Sequence, residues 1–344
     1  MTAVATPAEK AWIQDLLRRA GWPGPDAVVE MSGGRNNRVF RVATQRGPCL
    51  LKRYFRESSD PRDRLSHEYG LLEACRAEGV DQVPRGIARD DEHGAALYEF
   101  VSGQRPERIG ESEIREAAGF IEKLNAARGK KSFQSLPAAA EACFSLSSHL
   151  ASVERRISRL EAMERETPVD RAAREWVQTK LAPAWGMVRE SLTEKIAGDE
   201  PLSRDRQIVS PSDFGIHNAL RRADGTLVFL DFEYAGWDDP AKLVCDFANQ
   251  PDHPLSPGQS DLFVARLLGW LGESHFWRSR FAALAPVYQL KWACIVLNDF
   301  LPYGRHRRSF QGIPSREVES RKEVQLAKAG EILARIHAGI LPLL

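Results

Sequence analysis

The sequence is poor in the features that would assign its class at a glance. Its 344 residues carry Lys+Arg 48 against Asp+Glu 47, a formal net charge of +1. There is therefore no basic footprint for nucleic acid and none for an acidic membrane surface. No run approaches the roughly 18–20 apolar residues of a membrane-spanning helix. The opening, MTAVATPAEKAWIQDLLRRAGW, lacks the apolar core of a signal peptide. Cysteine is scarce: Cys49, Cys75, Cys143, Cys245 and Cys294 are odd in number and never spaced C-x-x-C. That argues against a disulfide framework or a paired-cysteine zinc site, and for reduced thiols in a cytoplasm. There is no H-E-x-x-H, no clustered Cys/His set and no G-x-S-x-G elbow. Internal repeats and low-complexity tracts are also missing. What remains is ordinary: 43% apolar and 28% charged residues, enough for a sizeable core. A prior of about 150 residues per domain gives two domains or one bilobal unit.

The texture along the chain is not uniform. AEKAWIQDLLRRAGW reads as a short amphipathic helix, followed by the strand-like runs AVVEMSGG, NRVFRVAT and PCLLKRY. Leu65, Tyr69, Leu72 and Cys75 recur at helical spacing and predict a helix ending at Gly79. GIARDDEHGAALYEFVSG reads as two strands around a turn at 90–94. The first 100 residues or so thus read β-β-β-α-β-β. After Gly103 the pattern is mainly helical, with a kink expected at Pro183. The exception is QIVSPSDFGIHNALRRADGTLVFLDFEYAG, where Asp224-Gly225 between two alternating runs is a hairpin signal. The expected organisation is an N-terminal β-rich lobe, 1–100, and a helical C-terminal lobe, 101–344. The second lobe carries a loop and hairpin at 208–235.

That island contains the triplet Asp213-Phe214-Gly215, the letters with which protein kinases hold magnesium. A kinase site needs its parts in order: a hydroxyl-facing Asp, an Asn a few residues on, then a hairpin and a metal-bridging Asp. If Asp213 were the metal Asp, an asparagine should precede it, yet none lies between Asn125 and Asn218. If Asp213 is the hydroxyl-facing Asp, Asn218 follows at the D-x-x-x-x-N spacing. The Asp224-Gly225 turn then supplies the hairpin, and Asp231-Phe232-Glu233 supplies the metal Asp. The letters D-F-G are a coincidence.

SDFGIHNAL…TLVFLDFEYAGWDDP resembles the catalytic core of the aminoglycoside phosphotransferase / choline kinase superfamily, with its H-x-D-x-x-x-G-N and [IL]-D-[FW]-[ED] patterns. The resemblance covers roughly residues 28–128 and 205–250. It implies an α+β, protein-kinase-like bilobal fold with a small β-rich N-lobe and a large mainly helical C-lobe. It also implies ATP and Mg2+ as cofactors and a small-molecule hydroxyl as acceptor. Asp213 would be catalytic, with Asn218 and Asp231 as magnesium ligands. MSGGRNNRVFRV is similar to the family's glycine-rich turn, where the Gly33 and Gly34 backbone approaches phosphates. Lys52 in CLLKRY stands where the nucleotide-binding lysine is expected, and Glu68 on the next helix where its partner is. ALYEFVSG corresponds to the hinge, with the backbone around Glu99 and Val101 facing adenine. Two positions depart from the pattern: Pro211 replaces the usual His, and His217 the usual Gly.

Several other features invite chemistry and have a plainer reading. ARGKKS, 127–132, lacks the first glycine of a phosphate loop, where Leu124 stands, and reads as a solvated loop. Trp237, Trp270, Trp277 and Trp292 would suit an aromatic cage for a quaternary ammonium, or simply the core. Asp238 or Asp239 caps a helix that starts at Pro240, and Asp246 is structural or braces the catalytic loop. The basic run YGRHRRSFQG, 303–312, is a solvated loop or a grip for an anionic substrate. The reading is a small-molecule kinase. A pseudokinase acting as a regulatory module is the alternative, motivated by the two departures. Sugar, amino alcohol and aminoglycoside all stay open as acceptors. No nucleic-acid or membrane partner is expected, and nothing in the sequence sets an oligomeric state.

Overall fold

The computed structural model describes residues 6–31, 37–56, 62–163, 165–196, 198–251, 253–302 and 315–337. Gly33, Gly34 and the basic run 303–312 lie outside the described residues. Contacts divide the chain into two compact units. One comprises Met1–Arg108, Lys123–Ala140 and Pro211–Trp237; the other comprises Ile109–Glu122, Glu141–Ser210 and Asp238–Leu344.

The first unit is built on a five-stranded antiparallel sheet of β1 (Ala27–Met31), β2 (Arg38–Ala43), β3 (Cys49–Arg53), β4 (Gly86–Asp90) and β5 (Ala95–Glu99), in the order β1-β2-β3-β5-β4. Helix α1 (Pro7–Arg19) starts from a Thr6/Glu9 capping box with Pro7 in its first turn. It lays Ile13, Leu16 and Leu17 on one face of the sheet, against Phe40, Val42, Cys49, Leu51 and Leu97. Strand side chains alternate between faces, so with Cys49 and Leu51 on this face, Lys52 must turn to the other. That is the side met by α2 (Arg64–Ala77), which starts under an Asp63 cap. Its buried face is Leu65, Glu68, Leu71, Leu72 and Cys75. Tyr69 is half-buried, its ring 6.2 Å from that of Tyr98, and Glu68 is buried against Lys52.

The segment 211–237 folds with this unit, which therefore extends past residue 100, the boundary expected from sequence texture. The reason is backbone pairing. Gln104 and Arg221 exchange both backbone hydrogen bonds (3.0 and 2.8 Å), and the Phe229 N–H reaches the Gln82 carbonyl at 2.8 Å. Gly103 lies so close that a Cβ there would sit 2.8 Å from the Arg221 carbonyl oxygen. The hairpin pairs Ala219, Leu220 and Arg221 with Phe229, Val228 and Leu227. Gly225 turns at φ +88, and Asp224 accepts from the Thr226 N–H at 2.9 Å, as the Asp-Gly signal requires.

The second unit is mainly helical and also contains the short strand Ile208–Ser210. The helix Ser274–Val296 packs against Leu146–Leu160, Pro240–Ala248 and Ser315–His337. Ser274–Phe300 is also long and apolar enough to cross a membrane, which the sequence reading had not anticipated. However, 72% of its apolar window is buried inside the protein, as in a core helix. Pro183 produces no break. A π-helical turn, Val177–Leu181, joins Pro168–Trp176 to Ala182–Ser191, so the bond lost at proline is absorbed by re-spacing the ladder. Asp239 is the cap of Pro240–Ala248, accepting from the Ala241 N–H at 2.7 Å. The five cysteines are buried and unpaired. Trp237, Trp277 and Trp292 are buried as well.

Candidate active site

Two of the residues singled out in the first unit, Glu68 and Asp231, converge on Lys52. Lys52 Nζ donates to Glu68 Oε2 at 2.6 Å and to Asp231 Oδ1 at 2.5 Å, and lies 3.9 Å from Glu233 Oε2. Burial alone would pull the ammonium down, but the Asp231, Glu68 and Glu233 carboxylates outweigh it and hold Lys52 well above the ordinary lysine value. The lysine therefore stays charged. Burial pushes Glu68 up, and the Lys52 charge works against that rise. Glu68 is further fixed by the Tyr54 hydroxyl at 2.7 Å, itself 2.6 Å from the Tyr98 hydroxyl. The three charges are not equally enclosed. The Lys52 and Glu68 side chains are 8% and 7% exposed, whereas Asp231 is 39% exposed.

The loop beside them is joined to this cluster through the hairpin. Asn218 Nδ2 donates to the Asp213 carbonyl at 3.0 Å. The Asn218 carbonyl accepts from the Leu230 N–H at 2.8 Å, one residue before Asp231. Asp213, Asn218 and Asp231 thus follow one another along two short links, and Asp231 meets Lys52. Asp231 and Ser212 both take positive φ, 66 and 67. That conformation is costly for residues with a Cβ and is a mark of sites whose surroundings over-determine them. At Ser212 the chain makes a three-residue turn, the Asp213 N–H donating to the Pro211 carbonyl at 3.0 Å. Pro211, where the family pattern has His, therefore braces the loop through its backbone.

The model of the phosphotransferase enzyme family matches residues 27–284. The chain belongs to that family. Its members' fold recurs in solved structures. The spectinomycin phosphotransferase determined with ADP and spectinomycin superimposes with TM-score 0.60 at 10% identity, covering 95% of this chain and 99% of that one. The choline kinase of Streptococcus pneumoniae gives 0.57 at 13%, covering 94% and 98%. The Plasmodium vivax ethanolamine kinase gives 0.56 at 12%, covering 88% and 82%. A comparison with curated protein sequences finds no match. The α+β, protein-kinase-like fold and the superfamily resemblance are thereby borne out, and the chain is an enzyme of the phosphotransferase class.

Within this phosphotransferase the donor set fits a hard divalent cation. The Asn218 amide nitrogen is committed to the Asp213 carbonyl, which leaves Oδ1 as the atom for a cation. Asp231 contributes a half-exposed carboxylate of which Lys52 contacts Oδ1. No group of three His, Cys, Asp or Glu suited to a metal occurs among the described residues. Magnesium is characteristically bound by one or two protein ligands plus phosphate and water oxygens, so a sparse oxygen set is what it needs. His217, the second departure, holds Nε2 3.6 Å from Asp213 Oδ1, too long for a hydrogen bond. Its Nδ1 is buried with no hydrogen-bond partner among the described residues. Glu99 ends β5, its N–H on the Arg85 carbonyl and its carboxylate 3.4 Å from Arg222. Val101, two residues on, is buried.

Sequence reasoning overlooked three buried residues here: Asn37, Arg64 and Glu233. Asn37 Nδ2 donates to Glu233 Oε2 at 2.5 Å, and Arg64 Nε lies 3.8 Å from Glu233 Oε1. The available signal was Glu233 itself, the one charge besides Asp231 in the stretch LVFLDFEYAGW.

Proposed function

We propose that this phosphotransferase moves the terminal phosphoryl group of ATP to a hydroxyl of a small molecule. The observation that carries the reading is the direct contact of Lys52 with both Glu68 and Asp231. One cation held between a buried carboxylate and a half-exposed one is poised to exchange the exposed partner for phosphate oxygens. Lys52, oriented by Glu68, would then hold the α- and β-phosphates. Asp231 and Asn218 would hold Mg2+. When bound, the metal offsets the negative charge of the transferring group. Asp213 would accept a hydrogen bond from the acceptor hydroxyl and aim it for in-line attack. Gly33, Gly34 and the backbone at Glu99 and Val101 complete the proposed nucleotide site. The acceptor class is that of the relatives: choline, ethanolamine and spectinomycin kinases all phosphorylate hydroxyl-bearing small molecules. Five buried, unpaired cysteines suit a reducing cytoplasm.

The test is transfer of labelled γ-phosphate from ATP into a metabolite extract, with Mg2+ or with chelator. The wild type should label a small molecule only with Mg2+, and Asp213→Ala should label none while binding ATP nearly as well. Nucleotide binding without any labelled product or ATP turnover would favour the regulatory pseudokinase instead.

A further inference from the structure

Asn37 immediately precedes β2 and is one corner of a closed ring of polar contacts. Its Nδ2 donates to Glu233 at 2.5 Å, and its Oδ1 accepts from the Phe55 N–H at 3.1 Å. The Phe55 carbonyl accepts from Arg64 Nη1 at 3.1 Å, and Arg64 Nε returns to Glu233 at 3.8 Å. Arg64 also lies over the Tyr234 ring, 5.7 Å from its centroid. Asn37, Arg64 and Glu233 are 7%, 3% and 1% exposed. The ring thus ties together β2, the end of β3, α2 and the segment after the hairpin.

Asp231 sits between two anchors. On one side the Leu230 N–H is held by Asn218, and on the other Glu233 is held by the ring. A non-glycine residue at φ 66 persists where the surrounding structure over-determines it. We infer that Asn37, Glu233 and Arg64 form a positioning clamp that holds Asp231 in the conformation needed to bind the cation. The inference rests on the phosphotransferase reading above. Glu233 is not itself offered as a ligand: Oε2 faces Asn37 and Lys52, and Oε1 faces Arg64. The chemistry demands an amide at 37. A side-chain amide donates to a carboxylate with one atom and accepts a backbone N–H with the other. Aspartate would put a second anion against Glu233, and leucine would do neither job.

Calorimetric titration of the full chain with ATP, in Mg2+ and in EDTA, tests this. Asn37→Leu and Glu233→Ala should each weaken Mg·ATP binding about tenfold, the size of a buried charge-assisted hydrogen bond. Binding of ATP in EDTA should change by less than about twofold in Asn37→Leu, which leaves all three carboxylates around Lys52 in place. Glu233→Gln keeps an acceptor for Asn37 and should recover most of the loss. The Asn37→Leu/Glu233→Ala double variant should be no worse than the weaker single. Additive losses, equal losses with and without Mg2+, or unchanged Mg·ATP affinity in Asn37→Leu would overturn the clamp. A wild type that binds no Mg·ATP would instead remove the phosphotransferase reading, and the clamp with it.

Discussion

Each unit of the molecule buries a charged network, and the two are finished differently. In the second unit Asp239 is met by His149 at 3.0 Å and by Arg280 at 2.8 Å. Tyr288 holds the other His149 nitrogen at 2.7 Å. Nearby, Asp246 binds Lys291 with both oxygens at 2.9 Å, and Lys242 spans Asp238 and Asp246 at 3.0 and 3.3 Å. These carboxylates are 0–5% exposed, each met by a buried cation. In the first unit the network around Lys52 ends at Asp231, which is 39% exposed. Burying charge is costly unless each ion is fully paired. A closed network therefore serves folding, whereas one left open at a single carboxylate has a partner still to receive. That difference separates the structural acids Asp239 and Asp246 from the functional candidate Asp231.

The comparison predicts losses of different kinds. The largest should fall on turnover alone. Asp213→Ala should reduce phosphate transfer by about 10²–10⁴-fold, with little change in the urea midpoint, since its side chain is 38% exposed. A comparable fall in stability would blur the distinction. Next comes Asp246→Ala, which strands Lys291 and Lys242 without their shared counter-charge. It should cost about 3–5 kcal/mol of stability in urea titrations; less than about 1 kcal/mol would mean the closed network is not structural.

Third is a pH effect confined to the second unit. Burial alone would depress His149, but Asp239, with Cys143 beside it, pushes it up from 6.5 to about 9. The fold thus favours the protonated ring. Its stabilisation is complete below about pH 6.5 and is lost as pH rises through about 9, at most about 3 kcal/mol. Unfolding curves across that window should show the decline in the wild type and a much flatter profile in His149→Gln; matching profiles would contradict the assignment. Smallest is His217→Gly, which restores the family pattern. With no hydrogen bond from His217 to Asp213, turnover should stay within about threefold. A large loss would place His217 inside the chemistry.

Much of this was readable before any coordinates. The succession of strands and helix in the first hundred residues came from local signals: alternation, turn residues and helical spacing. Asp213, Asn218 and Asp231 were separable because spacing and the Asp224-Gly225 turn are local too. What the letters could not carry was tertiary. The Asn37–Glu233 pair spans 196 positions. The positive φ of Ser212 and Asp231 has no residue signature, since neither is glycine. Gln104 joining the hairpin, which draws 211–237 into the first unit, is backbone pairing that any residue but proline could make. Helical periodicity, which counts apolar residues, does not mark Glu68; the family resemblance that pairs it with Lys52 does.

The most direct test is the thermal shift that ATP produces in the wild type and in Asp231→Asn, each with Mg2+ and with EDTA. If Asp231 is the open end of the network, Mg2+ should add clearly to the wild-type shift, and the two conditions should coincide in Asp231→Asn. A full Mg2+ increment retained in Asp231→Asn, or none in the wild type, would contradict the account.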